Sequence, residues 1–173
     1  MNYRHHKALL ALPLCLAALL AAACASGGPN HADQAESASS AGSGAPALIS
    51  KQSANGFAST VRKLRGAIDS RGFKTFAVVD HAVGAGSIGQ KLRPTTLFIF
   101  GNPKGGTPLM QSVQEMGIEL PLKMLAYEDS SGAVMIAWPD MGATFKEYGV
   151  VGREPILEKV TGALAAIAAE AAG

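Results

Sequence analysis

Apolar residues along this chain recur with two periods, and the switches between them mark the elements. Residues 48–51 read as a short first strand. Phe57, Val61, Leu64 and Ile68 then fall at i, i+4, i+7 and i+11, one face of a helix. Ser53 or Asn55 is placed to cap its start, and Gly72 suits the left-handed position after its end. Residues 73–80 (FKTFAVVD) and 95–100 (TTLFIF) carry the aromatic and β-branched enrichment of strands, with a short helical or irregular piece at 82–89 between them. A short helix is expected over 107–116, opened by Pro108 near its first position. Residues 122–128 and 134–138 flank Asp129-Ser130-Ser131-Gly132, a hairpin signature. A helical turn follows over 141–148. Over 156–169, Ile156, Val160, Leu164 and Ile167 line one face of a last helix, whose Gly162 and many alanines favour close packing on a sheet. The order is β-α-β-β-β-β-α with short extra helices: an α+β fold of one antiparallel-rich sheet packed by helices.

Ahead of these elements the pattern changes. Arg4 and Lys7 precede an apolar run of 16 residues, 8–23, which is short of the roughly 20 needed to span hydrocarbon and is interrupted by Pro13. Residues 1–23 are therefore expected to be an export signal. Small residues directly before Cys24 resemble the lipobox of bacterial lipoproteins, in which the cysteine is diacylated and becomes the first residue. Ala21 stands where that family usually has Leu, and ordinary cleavage at the Ala21–Ala23 run is the alternative. Ala25, rather than Asp, follows the cysteine, which by the Gram-negative sorting pattern points to the outer membrane. Residues 24–46 are small and polar and bury too little surface to offset ordering, so a disordered tether is expected, His31 included. One domain, 47–173, remains.

Composition narrows the chemistry. Cys15 and Cys24 lie in the signal and at the anchor, so the folded part has no thiol; disulfides, thiol catalysis and Cys-type metal sites are excluded there. Of 15 basic residues, Arg4 and Lys7 leave with the signal, and the remaining 13 balance 13 acidic ones. Nucleic-acid binders carry a positive excess, and export argues the same way, so no nucleic-acid partner is expected. The cluster Arg62, Lys63, Arg65, Arg71 and Lys74 reads as the solvated side of one helix.

Few residues are left to carry chemistry. Asp80-His81 closes one strand, and His81 is the sole histidine of the folded domain, so one chain cannot build a several-histidine metal site. A structural pair, Asp80 capping the next segment and His81 bonded nearby, is favoured over a ligand or acid–base role. Gly101-Asn102-Pro103-Lys104-Gly105-Gly106-Thr107 lacks the lysine directly before the hydroxyl residue that a phosphate loop requires. A rigid turn is the favoured reading there, with an anion nest at the Thr107 helix start the alternative. No GxSxG elbow supports Ser87 or Ser112 as a nucleophile. Glu115, Glu119 and Glu128 read as solvated. Met110, Met116, Met124, Met135 and Met141 read as core filling, although His81 with one methionine is a haem- or copper-type pair.

The stretch 72–138 resembles the family called domain of unknown function 302. The residues that carry the resemblance are Asp80-His81, Leu92-Arg93-Pro94, Phe100-Gly101-Asn102-Pro103-Lys104, Gly106-Thr107-Pro108-Leu109-Met110, Leu120-Pro121-Leu122 and Tyr127-Glu128-Asp129. The resemblance implies a curved sheet like one repeat of the TATA-box-binding protein, often dimeric, and it implies no reaction. By position, the shared polar residues are Asp80, His81, Asn102, Lys104 and Thr107, the candidate ligand-binding set. The expected protein is an envelope lipoprotein on the periplasmic side, forming a homodimer. Its domain is expected to be a non-enzymatic binding module, with a pocket between the sheet and the Asp80-His81 and Asn102 turns. No cofactor is required. The competing reading is an enzyme or a metal- or haem-binding protein using His81 with Asp80.

Overall fold

A computed structural model describes residues 47–173. The expected export signal, the expected lipidation site Cys24 and the expected tether lie outside the described residues. The chain order is β1 (Leu48–Gln52), α1 (Phe57–Ser70), β2 (Lys74–Asp80), α2 (His81–Ser87), β3 (Thr95–Gly101) and α3 (Pro103–Ser112). A 3₁₀ turn (Gln114–Ile118) leads to β4 (Leu122–Glu128), β5 (Val134–Pro139), α4 (Met141–Glu147) and α5 (Glu154–Ala172). The strands form one sheet in the order β1-β5-β4-β3-β2, every neighbour antiparallel. The expected α+β class and element order are those observed.

Burial follows the two periods. Phe98 and Phe100 of β3, Met124 of β4 and Ile136 of β5 are fully buried, while their alternates Leu97, Ile99, Leu125 and Met135 are half-buried. Onto the buried face pack Leu64 and Ile68 of α1 and Leu164 and Ile167 of α5. The α5 alanines Ala168, Ala171 and Ala172 are buried and permit this close approach; Gly162 is exposed and plays no part in it. Met116, Met124 and Met141 fill the core as expected. Arg71 Nη1 donates to Glu170 Oε2 at 2.6 Å and ties α1 to α5.

Three local expectations are corrected. Neither Ser53 nor Asn55 caps α1: Gly56 is its N-cap, without a side-chain bond. Ser53 Oγ instead accepts from the Asn55 amide and lies 2.8 Å from the buried Thr60 hydroxyl. Phe73 is not in β2; its ring packs edge-on against Phe100 with centroids 5.4 Å apart. Helix α3 begins four residues before Thr107, with Pro103 at its first position, and Pro108 lies inside it. Packing of buried Leu109 against the core outweighs the poor helix propensity of Gly105, Gly106 and Pro108. Gly72, with φ of +71°, occupies the left-handed position expected after α1.

The two edges of the sheet, β1 and β2, are exposed. In β2 the pairing with β3 slips between Thr75 and Ala77, so Phe76 is the extra residue of a bulge and its ring is half exposed.

Candidate functional site

The candidate polar residues fall into two groups at opposite ends of the β2–β3 pair. Asp80 lies across from Thr96, and Gly101 lies across from Lys74. The six steps along the seven residues from Lys74 to Asp80 put about 20 Å between the two ends. A single pocket touching both turns, as the sequence suggests, is not formed.

At the first end, Asp80 caps α2 by accepting from the Val83 amide at 2.9 Å. His81 is exposed, and its ring makes no hydrogen bond to another described residue, so of the expected structural pair the Asp80 cap is formed and the bond of His81 to a neighbour is not. Among the described residues no cluster of three or more His, Asp or Glu could hold a metal. Ser87 Oγ donates to the Gly84 carbonyl at 2.6 Å and has no base beside it. Glu119 accepts from the Tyr148 hydroxyl at 3.2 Å rather than pairing with another carboxylate.

At the second end, Asn102 caps α3: its Oδ1 accepts from the Lys104 amide at 3.0 Å. The Asn102 carbonyl accepts from the Gly105 and Gly106 amides at 3.0 and 3.1 Å. Pro103 has no N–H. The start of α3 therefore has its donors occupied from within, and the anion-nest alternative loses its physical basis. The Lys104 and Thr107 side chains are exposed.

Beside this cap lies a cleft of about 240 Å³. The ends of β2 and β3 form one wall, the first turns of α3 a second, and the Leu120–Leu122 segment with Val160 of α5 the rest. Phe73, Phe76, Met110 and Pro121 are among its apolar lining residues. Asn102 and Thr107 are its polar side chains, and no acid, base or thiol lines it. Sequence reasoning reached Asn102 and Thr107 but missed the apolar walls. The available signal was Gly105-Gly106 between two prolines, a place kept free of side chains.

The groups with shifted pKa lie elsewhere. The Ser131 hydroxyl and the Ala133 amide hold the Asp129 carboxyl below its ordinary value. Burial and the neighbouring Glu119 push the Tyr148 phenol up.

A family model described as Domain of unknown function DUF302 matches residues 49–171. The crystal structure of an uncharacterized conserved DUF302 protein from Bacillus stearothermophilus superposes with a TM-score of 0.65 at 17% identity. That superposition covers 72% of this chain and 97% of the other, so the fold is one that stands as a chain of its own. Among curated proteins, the Fluoride-specific ion channel FluC 1 of Brucella suis biovar 1 is 41% identical over 93 residues, 54% of this chain and 37% of that protein. Its namesake in Brucella abortus biovar 1 is 41% identical over 93 residues, 34% of its length. The chain thus spans about a third of the length of the curated relatives it matches.

Proposed function

The chain belongs to the family described as Domain of unknown function DUF302, and from that premise we propose an envelope lipoprotein whose domain is a non-enzymatic module binding a small molecule in the cleft beside Asn102. The observation that carries this reading is the lining of that cleft. It is concave and apolar, with two polar side chains, the usual make-up of a ligand site. It holds no acid or base to move a proton, and so none to activate the Thr107 hydroxyl as a nucleophile. The competing acid–base reading rests on His81, which sits at the far end of β2 from the cleft and has no carboxylate partner among the described residues.

The anchor rests on the signal pattern and Cys24, and the periplasmic location follows from it. The relatives named as fluoride-specific ion channels fit a membrane-adjacent setting. About two thirds of their length lies outside the match. Among the described residues here no helix is long and apolar enough to cross a membrane. In this reading the shared part accompanies a membrane component in those proteins, and in this chain acylated Cys24 supplies the attachment. A homodimer completes the proposal.

Native mass spectrometry with elemental analysis of the protein purified from its own cells tests the module. A stoichiometric organic ligand and no metal is the expected result; a bound metal or haem would favour the His81 reading. Labelling with a palmitate analogue tests the anchor, and should mark the wild type and spare Cys24→Ser. An unlabelled mature wild type would overturn the anchor alone.

A further inference from the structure

Taking the cleft as a binding site, we propose that its ligand is an uncharged aromatic molecule of one or two fused rings, admitted by the bare wall at Gly105 and Gly106. Both glycines sit inside α3, where glycine is the poorest helix former after proline. Neither has the left-handed backbone that would demand glycine. Nor does crowding demand it. A Cβ on Gly105 would meet nothing within 4 Å, and one on Gly106 would meet only Leu120 Cδ1, at an ordinary 3.5 Å. Two successive helical positions thus have room for side chains and lack them, and both line the cleft. Open space beside them is what the glycines preserve.

Size and chemistry narrow the occupant. The 240 Å³ of the cleft lies between the roughly 150 Å³ that lodges one benzene and the ~300 Å³ at which drug-sized pockets begin. The amides at the start of α3 are occupied by Asn102, and no cationic side chain lines the space. A carboxylate or phosphate would lose its water and gain no cationic partner from the lining. The rings of Phe73 and Phe76 and the thioether of Met110 are the surfaces on which an aromatic ring packs better than a flexible alkyl chain. Thr107 makes no side-chain hydrogen bond to another described residue, leaving its hydroxyl for one polar group of the ligand. Phe76 fits the same picture: the bulge leaves this large apolar ring 49% exposed at the mouth.

Calorimetry on residues 47–173, a unit with its own core and the extent of a free-standing relative, with three probes is the test. 1-Naphthol is expected to bind. 1-Naphthoate, its charged counterpart, and octan-1-ol, its flexible one, are each expected to bind at least tenfold more weakly. Gly105→Leu should fill the cleft and weaken 1-naphthol at least tenfold, while the thermal midpoint holds or rises because leucine is the better helix former. Should that variant not fold, Phe76→Leu, at a half-exposed position, should still weaken 1-naphthol several-fold. Equal or tighter binding of naphthoate or octanol would overturn the ligand class and leave the binding module standing. Undiminished 1-naphthol binding in Gly105→Leu or Phe76→Leu would overturn the cleft as its site. Binding of no probe would overturn both.

Discussion

The Asn55 side chain donates from Nδ2 to the carbonyls of Ala171 and Ala172, at 3.3 and 3.2 Å, so the loop entering α1 caps the far end of α5. Those carbonyls have no partner within their helix. The Ala54 amide and Ser53 Oγ also donate to Ala172 O, at 2.8 and 3.4 Å. The contact joins residues 116 and 117 positions apart and fixes α5 against the edge of the sheet.

Asn55→Ala is therefore expected to cost about 1–2 kcal/mol, the loss of three part-buried hydrogen bonds: two to those carbonyls and one that Oδ1 accepts from Lys63 Nζ at 3.1 Å. Asn55→Asp should also destabilise, because it turns a carboxylate oxygen toward the two carbonyl oxygens, an effect that its retained contact with Lys63 Nζ only partly offsets. Were Asn55 the cap of α1, aspartate would be neutral or stabilising there. Urea unfolding of the two variants separates these outcomes, and a stable Asn55→Asp protein would refute the assignment.

Most of the fold is legible because it follows from local periodicity. The spacing of Leu64 and Ile68, or of Phe98 and Phe100, names the buried face before any partner is known. The start of α3 is hidden because Pro103 and Gly105-Gly106 carry turn signals, and only the burial of Leu109 makes a helix there worthwhile. The split between the polar candidates is legible in principle: sequential antiparallel strands end at opposite sides of a sheet, so Asp80 and Asn102 cannot share a pocket. The cleft is not legible. Phe76 reads as a core strand residue, and its exposure comes from a bulge set by β3 and from an edge position set by the whole strand order.

Asp129 should make the β4–β5 hairpin acid-sensitive. Its Oδ1 accepts from the Ser131 amide, the Ser131 hydroxyl and the Ala133 amide at 2.8, 2.6 and 3.0 Å, which lowers its pKa from the ordinary 3.8. A depressed folded-state pKa contributes stability that is present above the unfolded value and lost as pH falls through the folded one. The deficit of Asp129→Ala relative to wild type should thus be full at neutral pH and shrink once pH drops below the ordinary carboxylate value. An NMR titration placing the Asp129 carboxyl at or above 3.8 would contradict this.

Asp80 and His81 should behave as unrelated residues. Removing the Asp80 cap by alanine is expected to cost about 1 kcal/mol, read locally as about fivefold faster hydrogen exchange at the Val83 amide. His81→Ala, at an exposed position without a bonded partner, should change stability by less than about 0.5 kcal/mol and leave binding in the cleft untouched. Loss of ligand in His81→Ala would put the acid–base or metal reading ahead of the binding module.

The dimer should form through α2. This helix buries none of its residues, and within it and just after it Val83 and Ile88 are 70% and 75% exposed, followed by half-exposed Leu92. It follows directly from β2, an edge strand that also exposes Val79. Apolar side chains gathered on an unpaired edge mark a contact surface and invite uncontrolled pairing unless covered. A two-fold axis covers them with the same patch of a second copy and closes the assembly. Residues 47–173 should therefore run as a dimer in light scattering at about 100 µM, roughly where interfaces near 1,200 Å² begin to populate. Val83→Asp with Ile88→Asp should give the monomer. A wild-type monomer at that concentration would refute the dimer, and a dimer that survives both substitutions would move its interface away from α2. Because α2 begins at His81, this axis would also bring two copies of His81 toward each other, supplying the pair of imidazoles that one chain lacks. Zinc calorimetry on the dimer and on His81→Ala decides that point: a dimer that takes up no zinc has no such site, whatever holds its two copies together.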